Sequence, residues 1–137
     1  MTVYKIKKLC FYVYSYYEAI EVIKVFNQSG YTPNIAFKYS ILKSLGVLWI
    51  IELSKSLEKK LDKKKFNIIL NCQNNPALAV NCIRYGFSYI IFNGNVNYRK
   101  KIENIAKKNN VKINPKLVYR DLKSIKNYNI YINNLLK

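Results

Sequence analysis

The sequence predicts an α/β protein, a single three-layer sandwich with about five mostly parallel strands, flavodoxin-like or Rossmann-like. Two observations lead there. Strand-like and helix-like stretches alternate from end to end, and the connections between them are short. That pattern implies a parallel sheet covered by helices and joined by right-handed crossovers. A third observation bounds its size. The chain has 137 residues, half of them hydrophobic, which suits one domain spanning 1–137 with a single core. A strand order of 2-1-3-4-5 is the expectation for this class, with an incomplete β/α barrel as the alternative.

The elements follow in order. Lys8 to Tyr14 (KLCFYVY) is rich in aromatic and β-branched residues and reads as a buried strand. Ser15 and Glu18 form a capping-box pattern that opens a helix. Ala19, Ile20, Ile23 and Phe26 give that helix its apolar face, and Gly30 suits a left-handed C-terminal cap. Asn34 to Lys38 is a second strand. After a turn or short helix at Ser40 to Gly46, Val47 to Leu61 reads as a helix. Its expected face is Leu48, Ile51, Leu57 and Leu61, widened by Trp49 and Ile50. Phe66 to Leu70 is the third strand. Asn75-Pro76 then starts a helix, with Asn as N-cap and Pro at the first helical position, where its missing N–H costs nothing. That helix stops at Gly86. Ser88 to Phe92 is the fourth strand and Asn93-Gly94 a turn. Tyr98 to Lys108 is a helix whose apolar positions are Ile102, Ile105 and Ala106. Val111 to Ile113 is a short fifth strand closed by Asn114-Pro115. Residues 123–137 form a C-terminal helix or tail, with Ile125, Tyr128, Ile132 and Leu135 at helical spacing.

Net charge is +17, from 24 Lys+Arg against 7 Asp+Glu. A nucleic acid is one class of partner for such a chain. Its makeup supports a second explanation: 21 of the basic residues are Lys, alongside 18 Asn, 18 Ile, 13 Tyr and 6 Phe. All five residue types have A/T-rich codons, so drift in an AT-rich genome produces the same balance. Phosphate readers favour Arg for its bidentate fork, and here only Arg84, Arg99 and Arg120 are present. The run Lys59 to Lys65 falls at the amino end of the expected sheet, away from the expected pocket. No apolar run approaches the ~20 residues of a membrane span, and no signal-peptide pattern follows Met1. The expected location is cytoplasmic, without a membrane role, and the three Cys are expected as free thiols.

The chain contains no His. Ser-His-Asp and Cys-His catalysis are thereby excluded, as are His-containing zinc sites. Dinucleotide and P-loop glycine fingerprints are missing, and no carboxylate pair is placed for hydrolysis. No cofactor and no metal site is expected. In an open parallel sheet, ligands gather outside the carboxyl ends of the strands. That rule selects the loops Ser15–Tyr17, Tyr39–Ser40, Asn71–Asn75 and Asn93–Tyr98. The expected ligand-binding residues are Ser40, Asn71, Cys72, Gln73, Asn74 and Asn93. Cys72, just before a helix N-terminus, is also a weak candidate nucleophile. Tyr12, Tyr14, Tyr16 and Tyr17 could stack on bases or fill the core.

Asn71 to Gly86 (NCQNNPALAVNCIRYG) resembles a family of small alphaproteobacterial α/β proteins. They share an Asp-Cys-Gly-Asp loop after a strand and a helix ending Ala-Leu-Arg-x-Gly. Cys72, Ala77, Leu78, Ala79, Arg84 and Gly86 match, and the similarity extends from Tyr12 to Leu122. Asn71, Gln73 and Asn74 depart from the loop pattern, which removes both of its carboxylates. The resemblance implies a bacterial-type cytoplasmic protein and carries no activity. The first functional reading is a binding module for a small ligand or protein partner at the carboxyl edge of the sheet. The rivals are a basic nucleic-acid- or ribosome-associated protein and a cysteine-dependent enzyme using Cys72. Oligomeric state is not legible.

Overall fold

A computed structural model describes residues 8–61, 66–122 and 125–136. It contains six strands and six helices in α/β alternation. The strands are β1 (Leu9–Tyr12), β2 (Asn34–Phe37), β3 (Asn67–Asn71), β4 (Tyr89–Ile91), β5 (Lys112–Ile113) and β6 (Val118–Asp121). The helices are α1 (Tyr16–Gln28), α2 (Tyr39–Leu45), α3 (Val47–Lys60), α4 (Pro76–Arg84), α5 (Val96–Lys108) and α6 (Tyr128–Leu136). The strands form one hydrogen-bonded sheet in the order β5-β4-β3-β2-β1-β6, and β1 is parallel to β2 and β6, as β4 is to β3 and β5. The parallel α/β class is as expected. Residues 123–124 and 137 of the expected C-terminal helix or tail, and the 62–65 end of the basic run, lie outside the described residues.

Two features differ from expectation. The sheet has a sixth strand, and the order is not 2-1-3-4-5. The place beside β1 that the flavodoxin order reserves for β3 is taken by β6, in the register Leu9↔Val118 to Tyr12↔Asp121. Val118 and Tyr119 are β-formers, but the strand is largely exposed, so no apolar run announces it.

The chain forms two compact units: Met1–Ala36, Ile51–Asn67 and Leu117–Lys137 in the first, Phe37–Ile50 and Ile68–Lys116 in the second. In the first unit the Ser15 hydroxyl accepts from the Glu18 N–H at 3.2 Å and starts α1. All four expected inward residues of α1 are buried, together with Val22 and Val25. Gly30, at φ +80, closes the helix, letting the Tyr31 N–H reach back to the Phe26 carbonyl at 3.0 Å. Phe11 of β1 packs edge-on against Phe26 and Tyr131, at 5.6 and 6.5 Å between ring centres. Among the described residues of this unit, Asn34 is the buried polar one. Its Nδ2 donates to the Leu9 carbonyl at 3.0 Å, and Asn67 Nδ2 donates to its Oδ1 at 2.9 Å. This clasp fixes the start of three successive strands. Buried polar groups persist where they are paired in this way.

Helix α3 corrects part of the expected face. The expected Ile50, Leu57 and Leu61 are buried, but Leu48 is 63% exposed, and Val47 and Leu53 are buried in addition. The four consecutive apolar residues Leu48 to Ile51 leave the rotation of the helix open at the sequence level. Spacings of three and four residues from Leu57 back to Val47 decide it.

Candidate functional site

In the second unit the carboxyl ends of β3 and β4 carry the loops that the sequence singles out. Loop Asn71–Asn75 is built by its own amides. Asn71 Oδ1 accepts from the Gln73 N–H at 3.0 Å, an Asx turn. Gln73 is thereby held at φ +48, in the left-handed region that non-glycine residues seldom occupy. Asn75 Oδ1 accepts from the Leu78 N–H at 3.1 Å and caps α4, with Pro76 at its first position. The expected cap is therefore observed atom for atom.

Hydrogen bonds tie this loop to its neighbours. The Cys72 N–H donates to the Ile91 carbonyl at 2.8 Å and the Asn93 N–H to the Gln73 carbonyl at 2.6 Å. Asn75 Nδ2 donates to the Tyr39 hydroxyl at 3.4 Å, bringing in the start of α2 beside Ser40. Three of the four selected loops thus meet. The fourth, Ser15–Tyr17, belongs to the first unit. Ser40, Gln73, Asn74 and Asn93 are exposed and Asn71 is half-buried. Their side chains offer amide donors, carbonyl acceptors and one hydroxyl, without a formal charge.

Cys72 does not join them. It is fully buried, with its Sγ 3.7 Å from Cys82 Sγ and 3.8 Å from the Leu70 carbonyl oxygen. The sulfur contact with Cys82, followed by burial, pushes its thiol far above the ordinary cysteine range. This corrects the expectation for Cys72 both as a lining residue and as a nucleophile, because the thiolate is the reactive form. Chain direction explains the error: the loop is polar, yet its second residue still follows the strand's inward alternation from Leu70. Iodoacetamide at pH 8 is expected to leave Cys72 unmodified in the native protein and to alkylate it after unfolding in urea. Alkylation of the native protein at the rate of a free thiol would contradict the buried placement.

The remaining tyrosines are partly absorbed by the fold. Tyr12 stacks on Tyr119 at 5.5 Å, and the Tyr14 hydroxyl donates to Asp121 at 2.7 and 2.9 Å. Tyr16 and Tyr17 pack edge-on at 5.6 Å, with Tyr17 78% exposed. Among the described residues, no group of three or more Cys, Asp or Glu is placed to hold a metal ion, and no helix is long and apolar enough to cross a membrane.

A groove of about 410 Å³ that the sequence does not announce lies between α4 and α5. Arg84 lines it together with Lys101. Its signal in the sequence is weak: Ala77, Val80 and Ile105 are apolar residues lying just beside the core-facing stripes. Comparison with known protein families finds none that matches, and comparison with curated proteins also finds no match.

Proposed function

We propose that the protein is a binding module whose carboxyl edge, in the second unit, takes a small ligand or a protein partner. The observation that carries this reading is Gln73. Its left-handed backbone is held from both sides, by Asn71 and by Asn93, and its amide is presented to solvent. An uncommon backbone conformation kept rigid at an exposed tip suits presentation of a side chain to a ligand. Ser40, Asn71, Asn74 and Asn93 surround it with neutral donors and acceptors, which favours a neutral or singly anionic polar group. We assign this role to a cytoplasmic protein acting without a cofactor, with a bacterial-type origin supported by the resemblance of the Asn71–Gly86 segment.

A screen of small carboxylates, phosphates and sugars by amide NMR tests this. Binders are expected to shift the signals of 71–75 and 93–95. At a hundredfold excess over Kd they should raise the melting temperature by roughly 10 °C. Asn74→Ala and Asn93→Ala should each weaken binding by about tenfold, the worth of a hydrogen bond. Shifts confined to other surfaces would refute the assignment.

Nucleic-acid association is the second reading. It is favoured by α5, where Arg99, Lys100, Lys101, Lys107 and Lys108 are all exposed on one helix. Its signature is an affinity for single-stranded RNA whose logarithm falls linearly with log salt, at about 0.7 per phosphate contacted.

A further inference from the structure

We infer that the groove between α4 and α5 is a docking surface for an acidic amphipathic helix of a partner protein. It lies on residues other than those of the carboxyl-edge reading and stands or falls separately.

The first argument is shape. On α4 the lining includes Ala77, Val80 and Arg84, and on α5 it includes Tyr98, Lys101 and Ile105. Steps of three and four residues make each set one stripe of its helix, about 10 Å long. A trough walled by two such stripes is the complement of the side-chain ridge of a third helix. The second argument is exposure. Ile102 and Ala106 turn α5 toward the core at 2% exposure each, whereas Tyr98 is 48% exposed and Val80 and Ile105 are half-buried. Apolar side chains left partly exposed in a trough beside the core can receive the apolar anchors of a ligand.

The third argument is charge. Arg84 and Lys101 stand at the groove, and Lys108, seven residues after Lys101, lies on the same side of α5. Among the described residues, no carboxylate lines it. Helix α4 contains no acidic residue, and the single one in α5, Glu103, falls well round the helix from Tyr98 and Ile105. Apolar walls flanked only by cations match a helix with apolar anchors at i, i+4 and i+7 and Glu or Asp beside them. Complementary charge sets partner choice and register.

The test uses the full chain and a fluorescein-labelled peptide of roughly 14 residues, about four helical turns. It carries Leu at the anchor positions and Glu on the flanks. Controls are a scrambled peptide of the same composition and a version with Lys for Glu. Fluorescence anisotropy is expected to show binding at least about tenfold tighter than to the scrambled peptide, a difference of 1.4 kcal/mol. Amide shifts should fall at 77–84 and 98–105. Val80→Glu and Lys101→Glu should each weaken binding about tenfold, and the Lys peptide should recover affinity for Lys101→Glu. Circular dichroism verifies that both variants fold, and Lys101→Glu carries the test alone if Val80→Glu does not. Equal binding of the scrambled peptide would reduce the effect to net charge and overturn the proposal. So would shifts elsewhere, or a concentration-dependent dimer abolished by Val80→Glu, which would give the groove to a second copy of the chain.

Discussion

Replacing Asn114 with leucine is expected to lower unfolding stability by about 2–4 kcal/mol, measured by urea denaturation with an unchanged m-value. Asn114 sits at φ +51 and reaches back to the end of β4. Its Oδ1 accepts from the Phe92 N–H at 2.8 Å and its Nδ2 donates to the Phe92 carbonyl at 3.0 Å. The side chain thus occupies both hydrogen-bonding groups of Phe92, which is itself fully buried. Leucine removes both partners, and a branched residue in the left-handed region costs about 1–2 kcal/mol more. Asn114→Gly separates the terms, since it keeps the backbone freedom and loses only the amide bonds. A loss below about 0.5 kcal/mol for the leucine variant would show that water takes over both bonds.

Gly94→Ala is the second large effect, expected to cost about 1–3 kcal/mol, the range for overpacking a close-packed site. A Cβ at position 94 would land on Cζ of the Phe92 ring, with Cε2 2.7 Å and Cε1 3.1 Å away. The ring is fully buried, so displacing it repacks its close-packed surroundings. Thermal denaturation of Gly94→Ala in a Phe92→Leu background supplies the control. If the clash is the cause, the alanine costs less there, and the two changes couple by more than about 0.5 kcal/mol. Additive losses would place the strain elsewhere. The same variant is expected to move Asn93 and so weaken any ligand of the carboxyl edge.

What the residues reveal in advance is local. Ser15 and Asn75 are legible as helix caps because a cap needs only a side chain and a backbone N–H three residues apart. The alternation of β1 to β5 with helices is legible because each apolar run is contiguous in sequence. Strand β6 is not, since its one half-buried residue, Tyr119, lies among exposed ones and its stability comes from β1. Strand order is illegible for the same reason: it is decided by pairing between distant segments. Asn114 reads as half of an Asn-Pro turn, and only the fold shows its amide standing in for a ladder partner. At the site, the polar loop is legible as a surface feature. The burial of Cys72 within it, against Cys82 ten residues on in α4, is announced by no local pattern. The groove between α4 and α5 escapes notice because it belongs to two helices at once.

The β1–β6 pairing has a consequence for the nascent chain. Tyr14 and Asp121, joined at its end, are 107 residues apart. At ~5–20 residues per second, a ribosome needs roughly 5–20 s to supply the second strand after the first. Strand β1, with its apolar Leu9, Cys10 and Phe11, can pair with β2 early, but its other edge waits with its backbone groups open. An unpaired apolar strand edge is a template for pairing with another chain. The late arrival of β6 therefore leaves that edge open over the interval, and the exposed, charged Arg120 and Asp121 provide the blunt border that ends it.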